Sequence, residues 1–232
     1  MATDLEALDR ELDELRAGTG GTVRCGVFPT IAAALMPTVL LTLSEHDSLR
    51  LSLRSARLRT LEGLVKSRDL DVALTWDYPW ARRTDTDLVD TPFITDPTVL
   101  LVPSAQANLQ WHDVLSDRTR WVSRADGHMI GEVLTRVGED LSFRPRVAYE
   151  ANDWNEAQAV VAAGLGVALA PALATDIVRD GVAVLDFPPG PQRTVYFTRL
   201  AGHRPVPAER VVEQAFTRAW QTWEGQRAAG PR

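Results

Sequence analysis

Cysteine and lysine are nearly absent from this 232-residue sequence. The single cysteine, Cys25, excludes an internal disulfide and any zinc site built on paired cysteines. It lies in Val23-Arg24-Cys25-Gly26-Val27, which reads as a buried strand, with Cys25 as a small core hydrophobe. The 25 cationic residues are almost all scattered arginines, and against 31 acidic ones they leave a net charge of −6. No basic run is present, so wrapping of nucleic acid by bulk electrostatics is not expected. Long hydrophobic runs are missing too. The longest, over residues 157–173, carries Gln158 and two glycines and is broken at Pro171, so no membrane partner is expected. The opening Met-Ala-Thr-Asp-Leu-Glu lacks the basic and apolar regions of a secretory signal, which predicts a cytoplasmic location.

Catalytic signatures are equally scarce. There is no G-x-S-x-G elbow and no P-loop. His46, His112, His128 and His203 fall in loops or at helix ends, and none stands at metal-ligand spacing from another ligating residue. The sequence therefore predicts no catalytic residue, no metal and no cofactor.

What is present is a regular alternation of elements. Residues 3–17 pattern as a helix, with Thr3 and Glu6 at capping-box spacing. Leu5, Leu8, Leu12 and Leu15 form a narrow seam, and Gly18-Thr19-Gly20-Gly21 ends it. Such a stripe on a charged helix cannot bury itself alone, so packing on a partner helix is expected, in a homodimer or homotetramer. After this the pattern becomes strand–helix–strand. Residues 23–27 read as a strand, and 31–43 carry a helical face that Pro37 must kink or begin. Leu49-Arg50-Leu51-Ser52-Leu53 alternates like a half-wet strand, 60–67 is helical, and 70–74 is a strand. A β-α-β-α-β run predicts a parallel sheet faced by helices. A second set of strands and helices follows, about three central strands to each unit, with crossovers near 96–100 and 194–200. An amphipathic helix over 207–223 closes the chain and is expected to return to the first lobe.

Three stretches carry a resemblance. The first is Val23-Arg24-Cys25-Gly26-Val27 leading to Leu35-Met36-Pro37. The second is Asp69-Leu70-Asp71-Val72-Ala73-Leu74. The third and most specific is Val160-Val161-Ala162-Ala163-Gly164-Leu165-Gly166-Val167-Ala168-Leu169-Ala170-Pro171. Together they resemble the effector-binding domain of LysR-type transcriptional regulators, and the leucine-seam helix resembles that family's linker helix. The resemblance implies an α/β fold of two Rossmann-like lobes, periplasmic-binding-protein-like (type 2), behind an N-terminal linker helix. It places the linker at 1–20, lobe I at 21–97 and 198–227, and lobe II at 98–197. No stretch resembles the helix-turn-helix domain that normally precedes the linker, so direct DNA binding by this chain is not expected. DNA contact would need such a domain in a longer form. Within the third stretch, a helix ending at Gly164 and a tight turn at Gly166 explain the glycines. A nucleotide loop would need G-x-G-x-x-G after a strand.

In open α/β sheets ligands bind beyond the carboxyl ends of the strands. Between two such lobes that rule marks an interlobe cleft. Thr30 and Ile31 follow the first strand at a helix start suited to an anion, although Thr30 also suits an N-cap. The resemblance places its effector-contacting polar residue at Thr30. Arg54, Ser55 and Ala56 follow the second strand, and Trp76 the third. In the resembled family Gly-Thr is frequent at the last two of the first group, so Ala56 removes a hydroxyl and Arg54 offers a cation. Ser123, Arg124, His128, Met129, Ile130, Asn152 and Asp153 hold the matching places in the second lobe, and Pro171 ends a buried strand there. Asp153 also reads as an N-cap, Trp76 as lobe packing, and the arginines as solvated surface. The expected partner is a small anionic effector whose binding closes the cleft. An enzyme on the same scaffold stays open as an alternative, to be marked by an activated nucleophile or base. So does a transport-type solute-binding protein, to be marked by a secretory signal.

Overall fold

The computed structural model describes residues 20–125 and 127–228. The leucine-seam helix over 3–17 lies outside them. The chain divides into two compact units. The described part of the first runs to Ile94 and resumes at Thr194, and the second spans Thr95–Arg193.

In the first unit β1 (Gly21–Val27) pairs in parallel with β2 (Leu49–Ser55), from Gly21 opposite Leu49 to Val27 opposite Ser55. It pairs in parallel with β3 (Val72–Asp77) on its other side. β3 is bonded in turn to antiparallel β10 (Arg193–Leu200), and β4 (Leu88–Asp96) completes the order β2-β1-β3-β10-β4. The sheet thus holds five strands, where sequence alternation suggested about three. The two added strands are the segments that lead into and out of the second unit.

The helix α1 (Pro29–Leu43) begins at Pro29 and runs through Pro37, so Pro37 neither starts nor ends it. Pro37 has no N–H to donate to the Ala33 carbonyl, and both residues are exposed, on the face of α1 turned to solvent. Ile31, Leu35, Val39 and Leu43 form its buried stripe. α2 (Leu58–Lys66) buries Leu61 and Val65, and the long α6 (Pro207–Ala228) packs on α1 and β1. Two polar clusters tie the sheet to its surroundings. Arg83 donates to Asp90 at 3.0 Å and to Thr75 at 2.8 Å and lies 3.1 Å from Glu62. Thr198 donates to Asp90 at 2.5 Å. On α6, Glu209 accepts from Arg199 at 3.0 Å and meets His203 at 2.7 Å.

The second unit carries two sheets. β5 (Thr98–Pro103) lies between antiparallel β8 (Ala168–Pro171) and β9 (Val182–Asp186). β6 (Arg120–Arg124) pairs in parallel with β7 (Arg146–Ala151). A bridge from Trp121 to Val167 links the two. The short α3 (Trp111–Val114), then α4 (Ile130–Asp140) and α5 (Trp154–Ala162), accompany these strands. α5 ends as the sequence pattern predicts. Ala163 is its C-cap, and Gly164 takes φ +76° in the left-handed region. Gly166 is required by contact instead, since a Cβ there would lie 2.4 Å from the Arg120 carbonyl oxygen. At the border of the unit, Asp96 and Arg193 form an ion pair, each side chain at most 1% exposed. The Arg193 Nε and Nη2 groups donate to Asp96 Oδ2 at 2.9 and 2.7 Å, and Leu173 N–H donates to Oδ1 at 3.1 Å.

Candidate ligand site

The carboxyl end of β1 runs directly into α1. Phe28 is the N-cap, Pro29 the first helical residue, and Thr30 the second. The structure therefore corrects the N-cap reading of Thr30: its side chain sits in the first turn, 8% exposed. Ile31 is fully buried and serves the core. Arg54 and Ser55 end β2 as exposed residues opposite Gly26 and Val27, and the Ala56 N–H donates to Val27 O at 3.0 Å. Trp76 is 6% exposed and packs edge-on against Phe28 at 6.5 Å and Tyr78 at 5.8 Å. Tyr78 stacks on Trp80 at 4.9 Å. This aromatic row at the ends of β1 and β3 was not foreseen beyond Trp76, because sequence spacing gives no ring geometry. Beside it, burial lifts the Asp77 carboxyl above its ordinary range, while the Tyr196 hydroxyl donates to it at 3.0 Å.

In the second unit β6 ends in Ser123, buried, and Arg124, half-buried. α4 starts just beyond, with Met129 as N-cap and Ile130 as a buried first residue. His128 Nδ1 accepts from the Ile130 N–H at 3.1 Å. Trp154, the first residue of α5, gathers two of the candidates. The Arg124 guanidinium lies 5.2 Å over its ring, and the His128 ring stands edge-on at 5.5 Å and 86°. Asp153 does cap α5, accepting from the Glu156 N–H at 2.7 Å. Asn152 is occupied as well: its backbone and side-chain N–H groups donate to Glu156 Oε2 at 2.8 and 3.3 Å. The Tyr149 hydroxyl and the Asn152 amide hold the Glu156 carboxyl below its usual range. Pro171 is buried at the end of β8, opposite Thr98. Within each unit the structure therefore gathers Thr30 with the end of β1, and Ser123, Arg124, His128 and Trp154 with the end of β6. Among the described residues no group of His, Cys, Asp and Glu could hold a metal ion, and no helix is long and apolar enough to cross a membrane.

Strand ends that feed helix starts in two α/β units define a periplasmic-binding-protein-like fold. Solved structures of this fold align along nearly the whole chain. The Corynebacterium glutamicum OxyR C206 mutant superposes with a TM-score of 0.74 at 18% identity, covering 98% of this chain and 74% of that one. The effector-binding domain of QuiR in complex with shikimate gives 0.68 at 16% identity, covering 88% and 98%. The chain belongs to the LysR substrate binding domain family, whose pattern matches residues 16–221. Among curated proteins it is 27% identical over 180 residues to the transcriptional dual regulator GltC of Bacillus subtilis, covering 74% of this chain. It is 23% identical over 213 residues to the HTH-type transcriptional regulator YcgK of the same organism, covering 82%. The matches span 58% and 64% of the lengths of those two relatives. Both relatives are named as transcriptional regulators, YcgK as an uncharacterized one.

Proposed function

We propose that this chain is the ligand-sensing part of a LysR-type transcriptional regulator and takes a small anionic effector at the carboxyl ends of its strands. The family match over residues 16–221 carries this reading. The binding of shikimate by the QuiR domain supports a small acid as the ligand type. Thr30 in the first turn of α1 and Arg124 beside the start of α4 supply donors of the right kind. A ligand that prefers one arrangement of the protein shifts the population toward it, and a regulator reads that shift as altered subunit packing. Self-association into a dimer or tetramer is part of the proposal. α1 leaves Leu40 and Leu41 at 48% and 73% exposure, and β2 is an edge strand of its sheet. The site of action is the cytoplasm, and a helix-turn-helix domain of a longer form would make the DNA contact.

The test is a thermal-shift screen of small carboxylates, amino acids and aromatic acids, because a ligand that binds the folded state raises its stability. Titration calorimetry of the best hit against Thr30→Val follows. Loss of a hydroxyl bonded to a carboxylate weakens binding about ten- to a hundredfold. Urea unfolding beside it separates binding from support of the fold: an unchanged dissociation constant with a lowered midpoint strikes Thr30 from the site. A screen in which no acid raises the melting temperature refutes the anionic reading.

A further inference from the structure

We propose that Asp77 is a proton-operated latch on β10, the strand by which the chain returns from the second unit, and that proton uptake there tightens the β3–β10 pairing. The latch stands independently of the effector reading. Its first support is the register of the two strands. Thr194 stands opposite Asp77, Tyr196 opposite Thr75 and Thr198 opposite Ala73, so the polar side chains of both strands share one face. Leu74, Trp76, Val195 and Phe197 take the other face. Thr75 and Thr198 are fully buried, and Asp77 is 8% exposed. A carboxylate in such a row needs both donors and a counter-charge.

Donors are present, but the charges do not balance. The Tyr196 hydroxyl donates to Asp77 Oδ1 at 3.0 Å, and the Arg83 backbone N–H donates to the same carboxylate. The Thr194 hydroxyl donates in turn to the Tyr196 oxygen. The Arg83 guanidinium is engaged elsewhere, by Asp90 at 3.0 Å, Glu62 of α2 at 3.1 Å and Thr75 at 2.8 Å. Asp90 on β4 acts on Asp77 as a like charge. Arg82, whose charge also acts on Asp77, is exposed and screened by water. Asp77, Asp90 and Glu62 thus stand against Arg82 and Arg83, and one added proton neutralises the group. Burial lifts the Asp77 carboxyl above its ordinary range despite the Tyr196 bond, and the Asp90 charge adds to the rise. Burial likewise raises Tyr196, so the hydroxyl keeps its own proton. With Asp77 protonated, the two side chains form a neutral bond in which either hydroxyl can donate. A raised native value means that the folded chain holds the proton more tightly than the unfolded one. The stabilisation is therefore fully present below the unfolded value of about 3.9 and is lost as pH rises through the native one.

The experiment follows hydrogen exchange of the β10 amides in the full chain and in Asp77→Asn, from about pH 7.5 to about pH 4, corrected for the intrinsic rate at each pH. The amide of the variant imitates the protonated carboxyl. The variant should be the better protected at the high end. The ratio of the two should close toward unity as pH falls, by about tenfold for each unit between the native and unfolded values. Tyr196→Phe removes a donor that the ionised carboxylate uses, so in that background the closing should move to higher pH. A ratio that is the same at every pH, or wild type better protected at the high end, overturns the latch. So does a closing that Tyr196→Phe leaves in place or moves to lower pH. If Asp77→Asn does not fold, the isotope-labelled carboxyl carbon of Asp77 is titrated by NMR in the intact chain. A midpoint above about 3.9 supports the latch, and one at or below it overturns the latch. No effector enters these measurements, so the sensing reading stands or falls apart from them.

Discussion

Replacing Asp96 by Asn removes one charge of a buried ion pair. Asp96 and Arg193 are each at most 1% exposed at the side chain, and the guanidinium donates to Asp96 Oδ2 at 2.7 and 2.9 Å. The isosteric amide removes the negative charge and takes from the Arg193 guanidinium its Asp96 counter-charge, in a site closed to water. One amide oxygen can still accept from Leu173 N–H, so that bond survives. Breaking a buried pair from one side typically costs about 3–5 kcal/mol, most of it from the uncompensated partner. Asp96→Asn should therefore lower unfolding free energy by about 3–5 kcal/mol in urea titrations followed by circular dichroism. Asp96→Asn combined with Arg193→Met removes both charges. It should regain most of the loss, because apolar replacement of a buried pair is often neutral. A single mutant that costs under about 1 kcal/mol, or a double mutant as unstable as the single, would refute this account of the pair.

Three further outcomes are expected. Burial pushes the Cys25 thiol up to about 12, so at neutral pH native protein should resist alkylation and mild peroxide and react with a thiol reagent only on unfolding; prompt labelling of the folded chain would contradict this. Gly166→Ala should destabilise more than Gly164→Ala: the first drives a Cβ to 2.4 Å from backbone oxygen, while the second meets an open space and pays about 1 kcal/mol for its left-handed φ. Equal unfolding midpoints for the two variants would count against the contact. Although burial alone would raise the Asp71 carboxyl, hydrogen bonds from the Arg24 side chain and amide outweigh it and hold it below its usual value. Its stabilisation is thus present above the unfolded pKa of about 3.9 and is lost as pH falls through the lower folded value. The pair is partly exposed, so Asp71→Asn should cost about 1 kcal/mol or less at pH 7 and flatten the acid limb below about pH 4. An unaltered acid limb would remove the pair from the account.

Legibility in the sequence followed the range of the forces involved. Local patterns marked β1, β2 and β3, the helical face of α1 and the glycines after α5, because each is set by spacing or backbone sterics within a few residues. The strand pairing of β4 and β10 beside β3 was not legible, since it joins segments far apart in the chain. Pro37 left the start of α1 open, and the helix begins eight residues earlier at Pro29. The site divided in the same way. Strand-end positions such as Thr30, Ser123 and Arg124 followed from topology. What each side chain touches did not: Asp153 and Asn152 turned toward Glu156, and Trp154 gathered Arg124 and His128. Ring packing and hydrogen-bond partners are tertiary facts, and no period in the sequence encodes them.

The Asp96–Arg193 pair also sets how the two units can change over time. The second unit is an insertion within the first, and the pair fastens its entering and leaving strands side by side. To the surrounding sheet the whole insertion then counts as one tight turn, and the entropy of closing so long a loop is met at its neck. A module with tied ends can be lengthened, trimmed or exchanged without disturbing its host. Mutations inside the second unit can therefore be absorbed there, while the first unit keeps its fold as a separate inheritance.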